Sequence, residues 1–167
     1  MGAEAWSYFV PYEKDINAAL QKLREQEFKA GRYNKDYLYG NPNAKPRTID
    51  EVMKLCDADG SRSILDMFEV IDTPHKRRTE PDFNAAAGIE DMLASAMESL
   101  DPDRLSRVAP IGKEDRIELF GTDKPTHEQI EKRSDIFEWL NRGEGIYVIA
   151  FKNGKPSEIY FAGLSYD

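Results

Sequence analysis

The chain has few of the side chains that build covalent or metal-assisted chemistry. Cys56 is its only cysteine among 167 residues, and its only histidines are His75 and His127. A single cysteine excludes an intramolecular disulfide and a cysteine-based metal cage. It is typical of a reducing compartment, so we expect a cytoplasmic protein. We interpret Cys56 as a small core residue on an amphipathic helix, which is the usual state of a lone cysteine.

Long apolar runs and targeting segments are also missing. The longest strongly apolar run, residues 146–151, has six residues, whereas a membrane-spanning helix needs about 20. The N-terminal residues lack a basic segment followed by an apolar run, so no signal peptide is expected. We therefore predict no membrane partner, and we treat residues 1–167 as a single globular domain, a size common for one domain.

Basic residues are fewer than acidic ones, 23 against 31, and the net charge is −8. Residues 1–83 carry 13 basic and 15 acidic groups, and residues 84–167 carry 10 and 16. Nucleic acids bind through a broad basic footprint, and residues 76–78 are the only run of three basic residues. We therefore expect no nucleic-acid partner. The charge favours a basic protein partner, although solubility alone would also explain it.

Helices are predicted from caps and from the spacing of apolar residues. Asp15 can cap a helix over residues 16–30, which Gly31 then ends. Two capping boxes begin at Thr48 and at Thr126, and they predict helices to about Cys56 and Asn141. Two further helices are predicted over residues 86–100, which show the clearest helical periodicity, and over residues 113–120.

Four strands are predicted, over residues 6–12, 63–71, 146–151 and 159–162. The last two flank Asn153 and Gly154, the favoured pair for a two-residue hairpin turn. The sequence therefore predicts an α+β fold with a four-stranded, mainly antiparallel sheet, helices packed on it, and a C-terminal β-hairpin.

No nucleophile–base set, phosphate-binding loop or dinucleotide fingerprint occurs in the sequence. The turn at residues 57–60 starts like a calcium loop, but the required glycine and glutamate positions hold Arg62 and Phe68. Carboxylates are plentiful, yet nothing selects a pair facing one cleft. We therefore expect no cofactor and no metal, and the residues identify no catalytic group.

Two long loops are the places where a site could form. Residues 32–47 place tyrosines beside arginine, asparagine and aspartate, and residues 72–83 carry a histidine and the basic run. Tyrosine and arginine are typical binding anchors, although tyrosines that pack a long loop onto the sheet would give the same pattern. The weak candidates for ligand binding are Arg32, Tyr33, Tyr37, His75, Arg77 and Asp82.

Two terminal segments carry a resemblance to a known family. The N-terminal one reads WSYFVPY at residues 6–12 and continues to AGRYN at residues 30–34, and the C-terminal one reads GKPSEIYFAG at residues 154–163. Over these segments, about a third of the chain, the sequence resembles a family of uncharacterised bacterial cytosolic proteins. The resemblance implies a bacterial, cytosolic, single-domain protein and no particular activity.

Two hypotheses about function follow. The first is a non-catalytic binding or protein-interaction domain with an acidic surface, because no catalytic set is visible. The second is a small-ligand-binding protein or an enzyme whose site is built from the loops 32–47 and 72–83. The oligomeric state is left open.

Overall fold

The computed structural model describes residues 3–56, 60–77 and 103–165. Five strands occur in this part of the chain: β1 (Ala5–Pro11), β2 (Glu69–Val70), β3 (Arg107–Pro110), β4 (Gly145–Lys152) and β5 (Lys155–Leu164). The α-helices are α1 (Ile16–Ala30), α2 (Tyr37–Gly40), α3 (Ile49–Cys56), α4 (Lys113–Phe120) and α5 (His127–Glu131). Two 3₁₀ helices span Ile64–Asp66 and Ser134–Trp139.

The strands form one mixed sheet in the order β1-β5-β4-β3-β2. β5 lies between β1 and β4 and is antiparallel to both, whereas β2, β3 and β4 run parallel to one another. Parallel neighbours need a crossover connection. Between β3 and β4 this crossover consists of α4, α5 and the second 3₁₀ helix.

Helices cover both faces of the sheet. Helix α1 packs on one face, where Leu20 and Leu23 join Phe161 and Trp6 in a buried cluster. The crossover from α4 to the second 3₁₀ helix packs on the other face, where its buried residues meet those of β4 and β5. A third cluster under α3 contains Cys56, which confirms the interpretation of this cysteine as a core residue.

The structure confirms the predicted ends of α1 and the predicted turn of the C-terminal hairpin. The carboxylate of Asp15 accepts a hydrogen bond from the N–H of Ala18 at 2.9 Å, and Gly31 ends the helix in the left-handed conformation. Asn153 and Gly154 have φ values of 52° and 74°. Two consecutive positive φ values define the type I′ turn that the sequence predicts.

The prediction of four mainly antiparallel strands is wrong in detail, since the sheet formed by the described residues is mixed and has five strands. The predicted strand over residues 63–71 is replaced by a 3₁₀ helix and the two-residue β2. The hydroxyl of Ser63 accepts from the N–H of Leu65, and the carboxylate of Asp66 accepts from the N–H of Ser61. Such local side-chain bonds compete with strand pairing.

The helix predicted from Thr126 to Asn141 is also interrupted. Its capping box is present, but α5 ends at Glu131 and a 3₁₀ helix follows at Ser134. Serine and aspartate at positions 134 and 135 favour helix ends over helix interiors. The predicted helix over residues 86–100 lies outside the described residues. No helix in the described part is both long and apolar enough to cross a membrane.

Candidate functional site

The first loop of the sequence hypothesis packs on the α1–α3 side of the molecule. Tyr33 stacks on Phe28 with ring centroids 6.1 Å apart, and Tyr37 joins the same cluster. Burial, followed by the proximity of Tyr33, raises the pKa of Tyr37 to about 12. Tyr39 is 92% exposed. Two of the three tyrosines therefore hold the loop down, as the packing interpretation predicts.

Arg32 belongs to a cluster of charges at the end of α1. Its Nε donates to the carboxylate of Glu27 at 2.8 Å, and the hydroxyl of Tyr8 donates to the same carboxylate at 3.1 Å. Glu27 is only 2% exposed. Burial and the Glu27 carboxylate together raise the pKa of Tyr8 far above its usual range. The carboxylate ties β1, α1 and the start of the loop together.

The candidate His75 lies in a second buried charge cluster. Its Nε2 is 3.1 Å from Oε2 of Glu144, and both residues are buried. Burial pushes the pKa of Glu144 upward, but hydrogen bonds from His75 and Asn141 outweigh it and hold this pKa below its usual value. Arg104 donates to the carbonyl of Pro74 at 3.0 Å. The cluster joins the segment after β2 to the start of β4.

Arg77 lies on the crossover side of the sheet. Its guanidinium is 4.3 Å from the ring centroid of Trp139, and it donates to Glu118 at 2.8 Å. No hydrogen bond, ion pair or ring contact joins the described residues of the loops 32–47 and 72–83. Tyr33 and Tyr37 pack in one cluster, whereas Arg32 is bonded to Glu27. Asp82 lies outside the described residues.

A cleft that the sequence hypothesis did not include lies between α5 and the β4–β5 hairpin. Its volume is about 420 Å³, which is within the range of ~300–1,000 Å³ typical of ligand pockets. The start of α5 forms one wall, and the ends of β4 and β5 form the other. The lining residues are Thr126, His127, Glu128, Phe151, Lys152, Asn153, Ser157 and Glu158.

A histidine–carboxylate pair lies in this hairpin cleft. Nδ1 of His127 is 2.8 Å from Oε2 of Glu158, and both side chains are about one-third exposed. The imidazole stacks on the ring of Phe9 with centroids 3.9 Å apart. Within the described residues, Nε2 of His127 has no hydrogen-bond partner. The pair therefore has one ring nitrogen fixed by the protein and the other open.

The other side chains of the cleft supply charge and a flat apolar surface. Hydrogen bonds from the backbone N–H at the start of α5 and from Thr126 lower the pKa of Glu128, so this carboxylate is ionised at neutral pH. Lys152 and the ring of Phe151 also line the cleft. A molecule in the cleft would meet an imidazole, carboxylates, a lysine and an aromatic ring.

The sequence carried one signal for this cleft, since the capping box at Thr126 places His127 in the first turn of a helix. Nothing in the sequence pointed to Glu158, which lies 31 positions away. It comes close because the chain just before α5 is bonded to Phe151 of β4, and β4 pairs with β5 at Glu158. Among the described residues, no group of three or more metal-binding side chains is arranged to hold a metal ion. The arrangement instead suits hydrogen bonding and proton transfer.

Comparison with known proteins finds no significant match. No family model, no curated protein and no solved structure matches the chain significantly.

Proposed function

We propose that the protein binds a small polar molecule in the hairpin cleft and that His127 is the residue that recognises it. The observation that carries this proposal is the open Nε2 of an imidazole whose Nδ1 is held by Glu158 at 2.8 Å. A carboxylate at one ring nitrogen selects the tautomer with its proton there. Nε2 then presents a lone pair to the cleft.

The chemistry of the cleft narrows the class of ligand. Neutral His127 in this tautomer accepts a hydrogen bond, so the ligand needs a donor such as a hydroxyl or an amide. The ring of Phe151 can cover an apolar part of the ligand, and Lys152 can neutralise a negative group. The same Nε2 can accept a proton from a bound hydroxyl or water, which is the role of a general base.

The histidine pair also has a structural role, because it links α5 to β5. That role alone does not require a cleft beside the pair or an unbonded Nε2. The two roles differ in what they predict, since a purely structural pair affects stability and leaves ligand binding unchanged.

The tautomer can be measured without a ligand. We expect neutral His127 to carry its proton on Nδ1, which long-range ¹H–¹⁵N NMR spectra detect. The chain has only two histidines, and the buried His75 provides the internal reference. A neutral form protonated on Nε2 would contradict the proposal.

Ligand binding tests the proposal directly. In a screen of common metabolites, a ligand of the cleft should shift the imidazole signals of His127 and leave those of His75 in place.

His127→Gln should weaken the binding of this ligand roughly tenfold to a hundredfold, the loss of a hydrogen bond worth about 1–3 kcal/mol. Glu158→Gln should also weaken the binding of this ligand. Glu131→Gln, an exposed change on the same helix that does not line the cleft, is the matched control. Equal binding by wild type and His127→Gln would refute the proposal.

A second candidate function is a domain that binds a basic protein partner. The described residues carry 22 basic and 22 acidic side chains, so the excess of eight negative charges lies in the remaining residues. In the sequence of residues 78–102, six acidic residues accompany one basic residue. This concentration favours a partner attracted by one segment of the chain over one attracted by a broadly acidic surface.

This second candidate predicts binding that depends on salt and on that segment. A partner captured at low ionic strength should be basic and should dissociate as salt is added, because screening weakens exposed charge interactions. The triple variant Glu80→Gln, Asp82→Asn and Glu90→Gln should bind it more weakly, whereas Glu25→Gln, Glu114→Gln and Glu138→Gln together should not. A partner that binds both triple variants equally would contradict the candidate.

A further inference from the structure

Strand β1 lies at the edge of the sheet with one side of its backbone bonded to β5. The N–H of Tyr12 donates to the carbonyl of Ser157 at 3.1 Å. At the other end of the strand, the N–H of Ser165 donates to the carbonyl of Glu4 at 2.9 Å. Hydrogen-bonding direction alternates along a strand. The even-numbered residues of β1 therefore face β5, and Ala5, Ser7 and Phe9 direct their backbone groups away from it.

This outer edge has no paired strand among residues 3–56, 60–77 and 103–165. Ala5, Ser7 and Pro11 are exposed. Proteins usually protect such edges with charged residues, a bulge, a covering segment or a very short strand. The opposite edge has this protection, since β2 has two residues and Glu69 pairs with Arg107 at 2.7 Å. None of the seven residues of β1 is charged.

We propose that β1 pairs antiparallel with β1 of a second copy of this chain, with the two-fold axis at Ser7. Ser7 then lies opposite Ser7 of the second copy, and Ala5 lies opposite Phe9. In these pairs, the outward N–H and carbonyl groups of three residues on each strand form hydrogen bonds with those of the other strand. Pro11 has no N–H to donate, but in this register it lies opposite Ala3, beyond those three pairs.

The side chains and charges are compatible with this pairing. Trp6 and Tyr8 would lie opposite each other, and both side chains already pack into the core of their own copy, so the pairing leaves their contacts unchanged. The nearest charged residue, Glu4, falls opposite Val10. No two like charges are placed opposite each other over residues 3–11. This self-complementarity favours a second copy of the chain over a different partner, and it does not depend on the ligand proposed for the hairpin cleft.

Two variants test the dimer. Ser7→Lys places two lysines opposite each other at the axis, and it keeps the backbone hydrogen bonds to β5 because the backbone of Ser7 faces outward. We expect wild type to sediment as a dimer and Ser7→Lys to dissociate at a concentration at least about tenfold higher, since opposed like charges are costly. Ala30→Lys, an exposed change at the end of α1, is the control and should remain dimeric.

Cross-linking tests the register. Under mild oxidation, Ser7→Cys should form a covalent dimer on a non-reducing gel. Wild type, whose buried Cys56 is its only thiol, and Ala30→Cys should remain uncross-linked. A wild type that sediments as a monomer at all concentrations overturns the proposal. So does a dimer that Ser7→Lys leaves unchanged and Ser7→Cys fails to cross-link.

Discussion

Gly163→Ala is expected to destabilise the protein by at least about 3 kcal/mol, at the upper end of what overpacking a core costs. Trp6 pairs with Gly163 across β1 and β5, and its indole lies directly over this glycine. A Cβ at position 163 would lie 2.6 Å from two indole carbons and would overlap Cζ2. The ring is 7% exposed and packed in the core, so it has no free space to move into.

The measurement is the free energy of unfolding in denaturant, with a drop in melting temperature of roughly 6–12 °C expected for a chain of this size. Gly40→Ala is the matched control, because a Cβ there meets nothing within 4 Å. A smaller ring should relieve the clash, so Trp6→Leu combined with Gly163→Ala should lose less stability than the two single changes add up to. Unchanged stability in Gly163→Ala would show that the indole does not lie over the glycine.

Glu144→Gln is expected to cost about 3 kcal/mol of stability, because breaking a buried pair leaves its partner without compensation. Oε2 of Glu144 accepts from the N–H of Asn141 at 2.9 Å and lies 3.1 Å from Nε2 of His75. An amide can accept through one oxygen only, so a glutamine directs an N–H group at a donor. Glu138→Gln, an exposed change nearby in the sequence, should leave the free energy of unfolding almost unchanged.

The effect should depend on pH in a defined direction. The hydrogen bonds from His75 and Asn141 hold the pKa of folded Glu144 below its ordinary value of about 4.3. A depressed carboxyl pKa contributes stability above the unfolded pKa, and this contribution is lost as the pH falls through the folded pKa. The difference in unfolding free energy between wild type and Glu144→Gln should therefore be constant near neutral pH and shrink in acid.

A double-mutant cycle identifies the partner. His75→Ala and Glu144→Ala should be strongly non-additive, since either change already breaks the pair. Additive losses, or a difference between wild type and Glu144→Gln that grows in acid, would contradict the pairing of these two residues.

Short-range features could be predicted from neighbouring residues. The cap at Asp15, the helix end at Gly31 and the hairpin turn at Asn153 and Gly154 each depend on the backbone preferences of a few adjacent residues. These preferences act before distant parts of the chain meet, so the structure agrees with the prediction at all three places.

Strand pairing could not be predicted in the same way. β3 has four residues and β2 has two, too few for alternation to stand out. Their strand conformation depends on the parallel neighbour in the sheet. At Ser63 and Asp66, hydrogen bonds to nearby N–H groups prevailed over the β propensity of the surrounding residues.

The candidate sites show the same difference between short-range and long-range features. The tyrosine-rich loop was visible in the sequence, and two of its tyrosines serve to pack it. The histidine pair was not visible, because 31 positions separate its members and no spacing rule links a helix start to a strand in a later hairpin.

By itself, the sequence determined the α+β class, the caps of α1 and α5, the C-terminal hairpin and the absence of any disulfide within the chain. These depend on composition and on contacts between near neighbours. Only the tertiary structure decided the order and direction of the strands, the burial of His75 with Glu144, and the approach of His127 to Glu158. Each of these requires residues far apart in the chain to meet, and that meeting depends on how both faces of the sheet bury their apolar side chains.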